Sequence, residues 1–255
     1  MDILETVQIH NLFMTAFTTK LFLYSSALMM FLFTTITCSS QSSPTPSLTP
    51  VPTAKEILNQ TSRTMEQIDS LHFKLHHETG SLELTPGLMI NEVEGDLSKP
   101  DLLDISFNGS FGGITLNTQF ITVGNSAFMT NPLTGKWERG PTGVSSLGFF
   151  DPKLGIGAII SRTDLANFSV PKEQFSEQES IYVISGVLPT EALLSIVGQT
   201  LKNLTVSTEL VIDSESFYLL EVTIKGKVVP NDRDDVVRII TLSDFDKPVL
   251  IEPPL

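Results

Sequence analysis

The 255-residue chain holds one cysteine, one tryptophan and four histidines. A single thiol excludes any intramolecular disulfide, and His10, His72, His76 and His77 are too few and too crowded to build a transition-metal site. Positive charge is also scarce: 16 Lys and Arg stand against 29 Asp and Glu, a net charge of -13 at pH 7. Such a surface repels a phosphate backbone, so nucleic acid is not an expected partner. No G-x-S-x-G, H-E-x-x-H or P-loop motif is found, and Gly155-Ile156-Gly157 lacks the third glycine and the strand that a dinucleotide fingerprint requires. Asp232, Asp234 and Asp235 lack the glycine and distal Glu of a calcium loop and read as an acidic turn. The chain therefore reads as a non-enzyme without metal or cofactor. What it has is apolar bulk: 41% hydrophobic residues, including 16 Phe, against 18% charged ones, enough for a real core.

The first segment, residues 1–37, reads as an export signal. Leu21 to Phe33, LFLYSSALMMFLF, is an apolar run preceded by Lys20 and shorter than the roughly 20 residues that a membrane span requires. An uncleaved membrane anchor is the competing reading. Asp2 and Glu5 do not suit a basic leader, whereas a start at Met14 leaves MTAFTTK before the apolar run. Cys38 follows immediately, where a bacterial lipoprotein signal places the thiol that receives a diacylglycerol. Thr35, Ile36 and Thr37 depart from the Leu and Gly or Ala usual in a lipobox. Residues 38–53 comprise this cysteine and a tether, Ser39 to Thr53, with five Ser, four Pro and three Thr. That composition buries nothing, and at about 3 Å per residue it reaches roughly 45 Å.

The folded domain is expected over residues 54–255. Thr53-Ala54-Lys55-Glu56 has the form of a capping box, and Ile57, Leu58, Thr61, Met65 and Ile68 follow at helical spacing. The period then changes to two: Leu71, Phe73 and Leu75 alternate with His72, Lys74 and His76, a strand with one wet face. The His76-His77 pair reads as a solvated strand end. Leu103, Ile105, Phe107 and Phe111 alternate with polar residues, and Ile114, Leu116 and Phe120 repeat the pattern past a Gly112-Gly113 turn. A short helix is expected from about Pro152 and another after Leu188-Pro189-Thr190-Glu191, with three long strands, 204–213, 217–228 and 236–245, closing the chain. The class is α+β: a single curled antiparallel sheet, a half-barrel of about ten strands, with helices on its concave side around an apolar cavity.

The amphipathic first helix, the turn Asn131-Pro132-Leu133-Thr134-Gly135-Lys136-Trp137, the strand Leu204 to Asp213 and the ending Leu242-Ser243-Asp244-Phe245-Asp246-Lys247-Pro248-Val249 together resemble the LppX/LprA/LprF/LprG lipoproteins of bacterial envelopes. The similarity spans Ala54 to Pro253 and extends in architecture to the LolA/LolB lipoprotein carriers. It implies a cavity that binds or carries lipid or acylated glycolipid, in a protein lipid-anchored to the outer face of the cell membrane. No envelope transporter partner is identified by the sequence. The expected wall of such a cavity is Phe107, Phe111, Phe120, Phe128, Leu147, Phe149, Phe150, Ile156 and Ile160, and the expected lipid attachment is Cys38. A surface scaffold with the same aromatics packed solid satisfies the same alternation, and the choice between the two stays open at this level.

Overall fold

Thr53 caps the first helix in the computed structural model, which describes residues 52–140, 155–169 and 180–254. The Glu56 amide donates to Thr53 Oγ1 at 3.3 Å and the Thr53 amide to Glu56 Oε2 at 2.8 Å, closing the capping box that the sequence announces. Helix α1 runs Ala54–Gln67 and buries Ile57, Leu58, Thr61 and Met65 on one stripe. Lys99 holds its other end, donating from Nζ to the Glu66 carbonyl at 2.9 Å.

After α1 come seven strands: β1 (Ser70–Thr79), β2 (Leu82–Thr85), β3 (Leu88–Ser98), β4 (Leu102–Phe111), β5 (Ile114–Val123), β6 (Ser126–Thr130) and β7 (Trp137–Arg139). Helix α2 (Ile156–Arg162) leads into β8 (Asp164–Ser169) and β9 (Ile181–Pro189). A tight 3-10 turn, Thr190–Leu193, passes into α3 (Leu194–Val197), and β10 (Thr205–Asp213), β11 (Leu219–Lys225) and β12 (Val237–Ser243) follow. Among the described residues all twelve strands belong to one antiparallel sheet in the order β7-β6-β5-β4-β3-β1-β12-β11-β10-β9-β8, with β2 paired to the first residues of β3. The sheet is open, with β7 and β8 as its edges.

Strand pairing carries one inward parity across the whole sheet. Phe73 stands opposite Leu242 and Gly95, Leu75 opposite Ile240 and Val93, and Ile105 opposite Gly95 and Phe120. Further along the same face, Leu210 pairs with Val222 and Ile184. This face and the helices share one hydrophobic core. The opposite face carries charge, with Lys74 Nζ at 2.8 Å from Glu92 and His72 Nδ1 at 2.9 Å from Asp96.

Curl has a specific cause in the β3–β4 ribbon. Gly95 and Gly109 point to the inner face, and a methyl group on either would collide with the backbone carbonyl of Asp104 or Met89 on the neighbouring strand. The absent side chains let adjacent strands close up on the concave side, which bends the sheet.

Three expectations are adjusted. The helix foreseen from Pro152 is observed at Ile156–Arg162, with Pro152 outside the described residues. The sheet holds two more strands than the ten expected, because the short β2 and β7 add to it. His77 is not at a solvated end: it stands opposite Arg238 in the β1–β12 ladder, and its Nδ1 donates to the Asn91 carbonyl at 3.0 Å.

Candidate functional site: an apolar cleft on the concave face

The inner face of β3 to β6 encloses a cleft of about 590 Å³. Its floor is built by alternation: Ile105, Phe107 and Gly109 from β4 lie beside Leu116, Thr118 and Phe120 from β5. Leu88 and Ile90 from β3 close one side and Met129 from β6 the other. Phe111 and the turn residues Pro132 and Leu133 form the mouth. The only polar side chain among these lining residues is the Thr118 hydroxyl. The volume falls within the roughly 300–1,000 Å³ of small-molecule sites, but the lining lacks the cluster of polar groups that usually orients a hydrophilic ligand. Such a cavity recognises apolar bulk.

The wall expected from the sequence divides accordingly. Phe107, Phe111 and Phe120 share the cleft. Phe128 does not: it pairs with Ile121, on the sheet's other face, and both are buried there. The two-residue turn at Gly124-Asn125 sets Val123 opposite Ser126, so Phe120 faces Met129 and the neighbouring Phe128 points away. Ile156 and Ile160 also lie elsewhere, inside α2, whose residues 156–160 are all buried in the packed core beside α1, β9 and the 190–193 turn. A short helix that is apolar all round is core rather than cavity wall. Leu147, Phe149, Phe150 and Cys38 lie outside the described residues.

The sequence reading did not assign Leu88, Ile90, Thr118, Met129, Pro132 or Leu133 to the cavity wall. Counting parity through the Gly124-Asn125 turn would have found Met129. The approach of Pro132 and Leu133 depends on how the 131–135 loop folds. There the Asn131 Oδ1 accepts the amides of Leu133 at 3.0 Å and Thr134 at 3.2 Å, and the Gly135 amide returns to the Asn131 carbonyl at 2.8 Å.

A second polar constellation sits on the inner face away from the cleft. Arg238 and Asp232 are both buried, with Arg238 Nη2 2.5 Å from Asp232 Oδ1. The other carboxylate oxygen accepts the amides of Val228 at 2.8 Å and Val229 at 2.9 Å. Arg238 Nε and Nη1 meet no acceptor among the described residues. The acidic turn of the sequence thus contains one structural carboxylate. Burial holds the neighbouring His77 imidazole below its ordinary pKa of 6.5, the Asn91 carbonyl opposing this and the Arg238 charge reinforcing it.

An open antiparallel half-barrel with helices on its concave side and an apolar cleft defines the architectural class. Residues 53–251 match the LppX_LprAFG lipoprotein family, and the chain belongs to that family. Among solved structures, LprF from Mycobacterium bovis superposes with a TM-score of 0.62 at 18% identity, over 80% of this chain and 98% of that one. Lipoprotein LppX from Mycobacterium tuberculosis gives 0.53 at 15% identity, over 78% of this chain and 98% of that one. These two likenesses speak for the fold. No curated protein sequence matches the chain.

Proposed function

We propose that the protein is a membrane-tethered carrier that holds the acyl chains of a lipid or acylated glycolipid in the concave cleft, and that it is not an enzyme. The observation that carries this reading is the cleft itself, about 590 Å³ with a lining that is apolar apart from one threonine hydroxyl. Burying a methylene contributes about 0.8 kcal/mol, while association costs on the order of 4–15 kcal/mol. A ligand without polar contacts therefore needs roughly ten or more buried methylenes, which selects long acyl chains over small apolar molecules. A scaffold with a solid core leaves such a cleft without a role.

In this reading Cys38 carries the lipid anchor at the outer face of the cytoplasmic membrane, and the Ser/Thr/Pro-rich segment after it tethers the domain. Two or three acyl chains bind a membrane far more firmly than one. The full chain purified from cells should release lipid on solvent extraction and take up a fluorescent fatty acid. A ligand-free mass together with no uptake would sink the carrier reading. Cys38→Ser should abolish incorporation of alkyne-tagged palmitate, since there is no second thiol. If the variant stays membrane-bound with residues 21–33 uncleaved, the signal-anchor alternative is correct.

A further inference from the structure

The mouth of the cleft carries exposed apolar side chains on firmly built turns. Phe111 is 53% exposed, Ile114 63% and Leu133 81%, three of the largest apolar exposures among the described residues. Phe111 and Ile114 flank the Gly112-Gly113 turn, whose glycines take φ of +57° and +85°, a conformation that suits a two-residue hairpin. The Gly112 amide ties this tip to the Gly87 carbonyl of the β2–β3 turn at 3.3 Å. Leu133 is held out by the Asn131 side chain bonds described above, beside Pro132. A protein of this charge would ordinarily cover its surface with carboxylates. Instead, residues 109–116 and 130–137 contain no Asp or Glu, and their one charged residue is the exposed Lys136. Two charged carboxylates adjoin these segments: exposed Glu138 accepts from Asn131 Nδ2 at 3.0 Å, and Glu83 accepts the Gly87 amide at 2.9 Å. Arg139 follows in the same short strand.

We infer that this mouth is a membrane-docking surface: Phe111, Ile114 and Leu133 enter the interface of an anionic bilayer while Lys136 lies at its headgroups. The inference rests on the carrier reading for its purpose, since docking here would let an acyl chain pass between bilayer and cleft without crossing water. Its chemistry is independent of that reading. Exposed apolar tips with two cations, Lys136 and Arg139, against the one carboxylate of Glu138 between them match an anionic lipid surface, whereas the strongly acidic remainder of the chain is repelled by it. Pairing this mouth with the same mouth of a second copy would set Lys136 against Lys136.

Trp137, the only tryptophan, adjoins Lys136 and serves as the native reporter. The full chain would be reconstituted in vesicles of phosphatidylcholine and phosphatidylglycerol with brominated acyl chains, which quench tryptophan on contact. Docking predicts quenching of Trp137, weakened about fivefold in affinity by Lys136→Ala. Ile114→Asp, at a position outside the cleft lining, should abolish it while leaving fatty-acid uptake intact. Thr118→Phe, which fills the cleft, should abolish uptake while leaving quenching intact. Absence of quenching in the unaltered chain overturns the inference, as does quenching that survives Ile114→Asp. Quenching lost together with uptake in Thr118→Phe also overturns it, because the quenching lipid was then cleft-bound. A Trp137 shift that follows protein concentration without vesicles would assign the mouth to a second copy instead. Uptake with no quenching leaves the carrier reading standing alone, and quenching with no uptake leaves the docking surface standing alone.

Discussion

The two halves of the sheet use the same inward alternation and reach opposite ends. In β9 to β12, Ile184, Leu210, Ile212, Leu219 and Val222 are aliphatic and entirely buried, with α1, α2 and α3 contributing to the same core. In β3 to β6 the inner positions mix the aliphatic Leu88, Ile90, Ile105 and Leu116 with three phenylalanines, Gly109, Thr118 and Met129, and they border a cleft. Branched aliphatic side chains interlock with a helix stripe at close-packed density, whereas rigid rings beside bare backbone at Gly109 leave space that no described side chain fills. The closed half also holds the buried charges among the described residues, because Asp232 meets Arg238 and two backbone amides at once. Stability is thus concentrated in one half and capacity in the other.

Breaking the closed half should cost most at its ion pair. Asp232→Ala strands the Arg238 guanidinium and two amides in the core, and urea unfolding should report a loss of about 3–5 kcal/mol. A loss below about 1 kcal/mol would mean that water reaches this site. Next in size, Leu210→Ala opens a cavity under packed helices and should cost about 2–5 kcal/mol. Phe107→Ala, at a half-buried position already bordering empty space, should cost only about 1–2 kcal/mol and instead weaken fatty-acid uptake. Equal stability losses for the pair would erase the contrast between the halves. Thr118→Phe should leave the unfolding free energy in urea within about 0.5 kcal/mol of the parent and still block uptake, because it adds bulk where there is room.

The smallest effect concerns protons. His77 is held neutral in the folded protein with its pKa below 6.5, so the unfolded chain takes up the proton first on acidification. Its contribution is complete above pH 6.5 and declines as pH falls from there to the folded pKa, by less than about 1.4 kcal/mol per pH unit. His77→Gln should flatten that part of the stability profile as pH falls below 6.5. An unchanged slope would assign it to other groups.

Much of this was legible residue by residue. The capping box at Thr53 and Glu56 is local chemistry, and so are the alternating runs in β1, β4 and β5. The Gly112-Gly113 turn identifies a hairpin, and with it the pairing that sets Phe107, Phe111 and Phe120 on one face. Phe128 was misassigned because its parity passes through a second turn that has to be counted residue by residue. His77 was taken for a solvated strand end and Asp232 for part of an acidic turn, since neither carries a local sign of its neighbour: Arg238 lies 161 and six positions away in the chain. Ile156 and Ile160 have the composition of a cavity wall and of a core alike.

The sequence by itself determined the sheet, its inward face and the order of its turns, because hydrophobic period and turn chemistry act over a few residues. It also determined the family, through a pattern spread across residues 53–251. Only the tertiary structure decided which stretch of that inward face is filled and which is hollow. Filling depends on where the helices lie along the sheet and on how closely strands approach at Gly95 and Gly109, and both are set by contacts between residues far apart in the chain.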